Sequence, residues 1–457
     1  MVAKAWKLLL FLFCSPLILY AQSAISGVYK ETGNNVNSLN YERQWWKSFQ
    51  DPLLDSLINE ACDKNFTILG ALKRIDMAKA NWHIERALAF PSISFEGGWS
   101  NQQVSANTEH GVREHNRNFS AIIDASWEVD IFGGIRQRVK AQHENFLATR
   151  EEFEALQLSL SAQVASAYIN LRESQQKLLV VQKNCESQAA VLAITENRFK
   201  SGLVSKLDVA QARSVYYSTR ASLPQLEVEI SQYINQIAIL LGRFPQDLEP
   251  ILYSVANLPE HVEIVTNDIP IILLMQRPDV RQAEYVVKSK VALLDASKRD
   301  FLPNVILNAS IGYSSHKIKQ LLKKNSFIYE LSPTLSWTLF NGGKLLNSNR
   351  LSKADWEECV QQFNSTLLSA VQESENALNS YHASLKQIVA MREVCLYGEE
   401  TLQLSLDLYK QGLTPFQNVL DSLRSLLTYQ NQLIQVQGYS LLQLISLYKA
   451  VGGGWTY

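Results

Sequence analysis

The sequence predicts an internally duplicated α+β chain that supplies four membrane-spanning β-strands and two long helical hairpins, and that trimerises to close them into a 12-stranded barrel and a 12-helix tunnel. Three observations predict this class. The chain is written twice; two pairs of segments alternate apolar and polar residues with the period of a strand; and the run from Ile135 to about Lys200 holds neither proline nor glycine.

The duplication is read from a fixed offset. Phe199-Lys200-x-Gly202-Leu203 returns as Tyr409-Lys410-x-Gly412-Leu413, with Gly202 + 210 = Gly412. The same shift carries Trp127 onto Trp337, Cys185 onto Cys395 and Val209 onto Val419, and Pro91 meets Pro303 with a drift of two residues. A period this long is not that of a solenoid, whose repeats run to about 20–50 residues. Two halves are therefore expected, about 24–240 and 271–457, with a connector over 241–270 where five of the 12 prolines fall nearby.

The chain begins with the order of an export signal. Lys4 and Lys7 precede the apolar run Leu8 to Leu19, and the small residues Ala21, Ser23 and Ala24 offer a cleavage point, so residues 1–23 read as a signal peptide. Cys14 raises the alternative of a lipid anchor, against which stand the bulky Phe11-Leu12-Phe13 before it and the apolar run beyond it. Four cysteines follow, Cys62, Cys185, Cys359 and Cys395, with no CxxC and no ligand spacing; burial as thiols and pairing in an oxidising compartment both stay open. Past the signal no run of about 18 apolar residues occurs, so a membrane would be crossed by strands.

Those strands alternate. Phe119, Ala121, Ile123, Ala125, Trp127 and Val129 are apolar and Ser120, Asp124, Ser126 and Glu128 lie between them; Tyr329 to Leu339 repeats the pattern. Partner strands follow Pro91 (Ile93, Phe95, Trp99) and Pro303 (Val305 to Tyr313), which gives β-hairpins over about 92–130 and 304–340. Four strands cannot close a membrane barrel, whose smallest kind has about eight, and an open edge is not tolerated in lipid. The chain must oligomerise around a shared lumen, and three copies supply 3 × 4 = 12 strands.

Helical hairpins are expected over about 135–241 and 344–450. In the first, Val139, Phe146, Phe153, Leu160 and Ala167 form a heptad seam, and Pro224 predicts a kink in the return helix. Gly202 and Gly412 mark the tips, and Ser205-x-x-Asp208 and Thr414-Pro415-Phe416-Gln417 open the return helices in capping-box form. A shorter helix is expected over Arg277 to Lys298.

Enzyme chemistry finds no support. HExxH, GxSxG and GxxxxGK[ST] are absent, and His110 and His115 have no third ligand beside them, so neither cofactor nor metal is expected. The net charge of −1 selects no nucleic acid.

The pieces Trp45-Trp46-Lys47-x-Phe49-x-Asp51-Pro52, Ser126-Trp127-Glu128-Val129-Asp130-Ile131-Phe132-Gly133, Arg277-Pro278-Asp279-Val280-Arg281, Gly412-Leu413-Thr414-Pro415 and Leu447-Tyr448-Lys449-Ala450-Val451-Gly452-Gly453-Gly454-Trp455 together resemble the outer-membrane efflux ducts of the TolC type, in the branch of OprM and NodT. The resemblance implies a membrane duct and no catalysis. It implies a homotrimer in the outer membrane of a Gram-negative type cell, with a periplasmic helical tunnel, served by a periplasmic adaptor and an inner-membrane pump, usually proton-driven. It also implies a gate at the tunnel tip: Asp208 and Tyr409 match a polar pair, and Asp421 matches one of two acidic positions that ring the aperture. Asn418 stands where some ducts carry the second acid and Thr414 where some carry an arginine. The turns Gly202-Leu203-Val204-Ser205 and Gly412-Leu413-Thr414-Pro415 are what family members present to the adaptor. Two rivals remain at this stage, a protein-secretion conduit of the same family and a periplasmic coiled-coil scaffold, the latter separable because a rod washes off membranes without detergent.

Overall fold

The computed structural model describes residues 40–42, 44–103, 105, 107, 115–259 and 271–456. The signal segment 1–23, Cys14 and His110 lie outside them, as does connector segment 260–270. Two units are distinguished, Met1–Arg43 with Trp455–Tyr457, and Gln44–Gly454. Strands Asn40–Glu42 (β1) and Gly454–Thr456 (β6) pair in a two-stranded sheet.

The large unit opens on a 3₁₀ turn, Trp45–Phe49, whose three aromatic side chains are buried; Trp45 stacks on Tyr448 with ring centroids 5.3 Å apart. Asp51 then caps helix α1, Pro52–Lys64, accepting the Leu53 and Leu54 N–H groups, while its second oxygen takes the Tyr168 hydroxyl at 2.6 Å. Helix α2, Phe66–Ala87, is capped by Asn65 in the same way. The sequence expectation did not include α2. It lies at the 212-residue offset of Pro91 and Pro303 from the helix after the connector, Phe66 + 212 = Pro278.

Helix α3, Gly134–Lys200, runs 67 residues, roughly 100 Å at 1.5 Å per residue. The return is broken as expected near Pro224, into α4, Lys206–Ala221, and α5, Leu223–Leu241, with Ser222 between them. Proline lacks the N–H that would continue α4, and it is tolerated in the first turn of α5. The connector holds a short helix, α6 (Pro245–Leu252), that the proline-rich composition did not suggest. It is held to the middle of α3 by two buried side chains. Arg172 donates to the Ser254 carbonyl at 2.8 Å and to Gln175 at 2.7 Å, and Gln175 donates to the Leu252 carbonyl at 2.7 Å. After α7, Ile271–Leu274, comes α8, Pro278–Arg299, then α9, Lys344–Gln411, of 68 residues, and α10, Phe416–Ala450. Helices α2 and α8 pack on α3, with α8 also on α9, along one part of the long helices; α4, α5 and α10 pack on them along the rest.

Arg277 ties three of these helices together. It is buried, donates to the Ala450 carbonyl at 2.7 Å, forks onto Asp279 at 2.7 and 3.0 Å, and reaches Glu373 at 2.9 Å. Because Asp279 and Glu373 stay partly in water and the Ala450 carbonyl also accepts the Ser374 hydroxyl at 3.1 Å, the loss falls mainly on the packing and on one of that carbonyl's two bonds. Arg277→Ala is expected to cost about 2–3 kcal/mol, read as a lower melting temperature of the extracted protein, and Arg277→Lys to recover little because an ammonium cannot make the fork.

Strands β2 (Ser92–Gln103), β3 (His115–Val129), β4 (Asn304–Ser315) and β5 (Phe327–Ser336) form an antiparallel sheet in chain order. The register aligns Phe95, Ile123, Ile311 and Tyr329 across the sheet, and Ser94, Asp124, Ser310 and Glu330 one step away. The period of two therefore makes one face continuously apolar and puts Glu96, Asp124, Glu128 and Glu330 on the other. The apolar face is solvent-exposed in the single chain, and β2 and β5 each leave an edge without a partner within it. Alternation in the sequence runs to Leu339, yet β5 stops at Ser336. Its partner begins at Asn304, after Pro303, and Trp337 instead donates its indole N–H to the Phe301 carbonyl at 3.0 Å. Trp127 does the same to the Ala89 carbonyl at 3.1 Å, so both halves pin the helix-proximal end of a hairpin alike.

Candidate functional site

The chemistry-bearing candidates converge at the tips of the two helical hairpins. Each long helix ends in the same bonded turn. Gly202 N–H donates to the Phe199 carbonyl and Leu203 N–H to Arg198; 210 residues on, Gly412 donates to Tyr409 and Leu413 to Leu408, all at 2.9 Å. This is the Schellman arrangement, and both glycines sit at the positive φ it needs, +73° and +78°. Leu203 and Leu413 follow in the turns with 66% and 70% of their surface in solvent, an apolar side chain offered at each tip.

Behind the turns lies a common core of Val191, Ala212, Val215, Leu402, Tyr409, Phe416, Val419, Leu420, Leu423 and Leu426, which joins both hairpins. Tyr409 is buried in it, tilted against Phe416 with centroids 5.1 Å apart. Burial pushes its phenol pKa up, the nearby charge of Asp208 adds to this, and Thr195 and Arg198 act the other way.

The expected link between Asp208 and Tyr409 is electrostatic and not a hydrogen bond. Asp208 takes the Ser205 hydroxyl at 3.0 Å, while Ser205 Oγ accepts the Asp208 N–H at 3.3 Å, so the pair caps α4. On α10, Asn418 donates to the Thr414 hydroxyl at 2.6 Å and Gln417 donates to Asp421 at 3.0 and 3.2 Å. Gln417, Asn418 and Asp421 are exposed, opposite the buried Val419, Leu420 and Leu423. Their spacing of three and four residues makes one polar stripe that points away from the chain's own core.

Sequence reasoning missed Arg198. From the last turn of α3 it donates to the Lys410 carbonyl at 2.6 Å and lies over the Tyr409 ring, 5.0 Å from its centroid, so it joins the two hairpins. Lys410 is in the final turn of α9, whose carbonyls lack helical partners and carry the negative end of the dipole, and a guanidinium satisfies both. The signal was present in the duplication, because Arg198 + 210 falls on Leu408, a break within the best-matched stretch.

The four cysteines after residue 24 are free thiols, their pKa values pushed up chiefly by burial. Among the described residues no group of three or more potential ligands could hold a metal ion.

The profile of the family described as Outer membrane efflux protein matches residues 57–243 and 270–453. The chain is 28% identical over 418 residues to the probable efflux pump outer membrane protein TtgC of Pseudomonas putida, covering 91% of this chain and 86% of that one. It is 27% identical over 417 residues to the cation efflux system protein CusC of Escherichia coli, covering 91% and 89%. The solved outer-membrane channel OprN superposes with a TM-score of 0.87 at 27% identity, over 91% of this chain and 93% of that one.

Proposed function

The chain belongs to the outer membrane efflux protein family, and from that premise we propose that three copies close their sheets edge to edge into one 12-stranded barrel above a periplasmic tunnel of twelve helices. The observation that carries this is the sheet itself. A continuous apolar face suits lipid, but the free edges of β2 and β5 do not, and pairing β2 of one copy with β5 of the next removes every edge. The polar face, with Glu96, Asp124, Glu128 and Glu330, then lines the lumen.

The duct does no chemistry of its own. An inner-membrane pump, proton-driven in this reading, delivers small molecules through a periplasmic adaptor, and the turns Gly202 to Ser205 and Gly412 to Pro415 receive that adaptor. At the tip the exposed stripe of α10 faces the threefold axis, where three Asp421 carboxylates, flanked by Asn418, form a constriction that attracts cations. Asp421→Ala is expected to raise single-channel conductance in planar bilayers and to weaken block by divalent cations; unchanged values would remove Asp421 from the gate.

Arg198 holds the two hairpins of one protomer in register, with Asp208 and Tyr409 around it. Arg198→Ala frees the Lys410 carbonyl and is expected to raise the open probability of the channel with the trimer intact. A variant whose traces match the parent protein would reduce Arg198 to a helix-capping residue.

A further inference from the structure

The duct reading leaves one built feature unused, at the end of the sheet opposite the helices. A groove of about 680 Å³ opens on the apolar face, lined by Trp99, Phe119, Arg117, His316, Lys317 and Lys319 among others. Trp99 and Arg117 share the outward face with Phe95 and Ile123 by the period of two, and Trp99 faces Phe119 across the β2–β3 pair with ring centroids 6.4 Å apart. The groove therefore has an aromatic floor where the apolar band ends, and its cations stand just beyond.

Those cations are positioned and unspent. The His316 ring is bonded to the Arg117 carbonyl at 2.8 Å, which draws the β4–β5 loop over β3. That loop, 316–326, carries Lys317, Lys319, Lys323 and Lys324 and no acid. None of Arg117, Lys317 and Lys319 forms an ion pair among the described residues, and Ile318 and Leu322 stand exposed beside them. Of the adjoining loop 104–114 only residues 105 and 107 are described, and Glu109, Arg113 and Glu114 lie outside the described residues.

We propose that this rim binds the phosphate groups of a phosphorylated glycolipid in the outer leaflet of the outer membrane. The inference rests on the barrel reading, which turns this face to lipid and this end outward. A lipid phosphate at the headgroup level fits both halves of the groove. Its oxygens meet the Arg117 fork and the two ammonium groups, and its acyl chains run along Trp99, Phe119 and the apolar band below. A soluble anion would use the cations and leave the aromatic floor idle.

The test measures binding of bisphosphoryl lipid A to the detergent-extracted trimer, with fully dephosphorylated lipid A as the comparison. The triple variant Arg117→Ala, Lys317→Ala, Lys319→Ala is expected to weaken Kd for the phosphorylated lipid roughly 100-fold. The dephosphorylated lipid should bind the parent protein as weakly as the phosphorylated one binds the variant, which tests the same contacts without altering the protein. Lys353→Ala, on α9 beyond the opposite end of the sheet, should change nothing. Equal binding of the two lipids, an unaltered Kd in the triple variant, an equal loss in Lys353→Ala, or full competition by millimolar inorganic phosphate would each overturn the proposal. The heat-resistant trimer band is read on the same samples, so failure of the barrel is seen apart from failure of the site.

Discussion

Cells whose only copy carries Gly202→Phe are expected to lose efflux to the level of a deletion strain, while the protein still reaches the outer membrane as a trimer. The geometry separates the structural role of this turn from the docking role proposed for it. Nothing lies within 4 Å of a Cβ built at 202, so a side chain there meets no atom of its own chain. The cost to the fold is the strain of a non-glycine residue at φ +73°, about 1–2 kcal/mol, which a tip anchored on a ten-residue core can bear. Under the proposed docking the cost there is larger, because the new ring stands beside the exposed Leu203 that the adaptor would meet. Gly412→Phe is a less clean experiment, since its Cβ would lie 3.9 Å from the Arg198 guanidinium and disturb the link between hairpins. Efflux unchanged in Gly202→Phe would refute docking at this turn, and loss of the folded trimer would leave only the structural role.

The second large effect is expected at Gly312, where Gly312→Val should prevent barrel assembly. A Cβ at 312 would run into the Ala121 carbonyl oxygen and lie 2.7 Å from Ile122 Cα, and both are backbone atoms of the paired strand β3. Neither can swing aside as a side-chain tip would, so β3 and β4 must part in the middle of the sheet. Glycine here permits the close approach that a coiled, closing sheet needs at a bend. The expected readout is loss of the heat-resistant trimer and accumulation of protein that washes off membranes in urea. Neighbouring Ser310→Val, on the same polar face and partnered by Asp124 and Glu330, should assemble, because its Cβ already exists. A normal Gly312→Val trimer would show that this sheet does not bend as described.

What the sequence made legible follows from how local its causes are. The tip turns were readable because a Schellman turn needs glycine at one position, and the strands because a sheet with one apolar face must alternate. The break at Ser222 was readable because Pro224 lacks a donor. Helix α2 escaped notice since its pairing with α8 is visible only once the 212-residue offset is applied before Pro91. The end of β5 was overread because alternation continues through Trp337 and Leu339, and nothing local shows that the partner strand has already begun at Asn304. Arg198 was missed for the same reason: its partner carbonyl at Lys410 is 212 residues away, and only the contrast with Leu408 points to it. Asp208 was legible only in its local role: the capping-box spacing from Ser205 points to the cap that the structure shows, while its place at the gate came from resemblance and stays a proposal.

The central claim is that four strands per chain become twelve by trimerisation. It is tested most directly by the mass and shape of the detergent-extracted protein, taken together by light scattering and negative-stain microscopy. The account predicts a protein mass of three chains and a cylinder well over about 100 Å long, the length of one α3 helix alone, with a barrel at one end. A monomer, or an elongated particle without a closed barrel, would contradict it, because the edges of β2 and β5 would then have no partner in lipid.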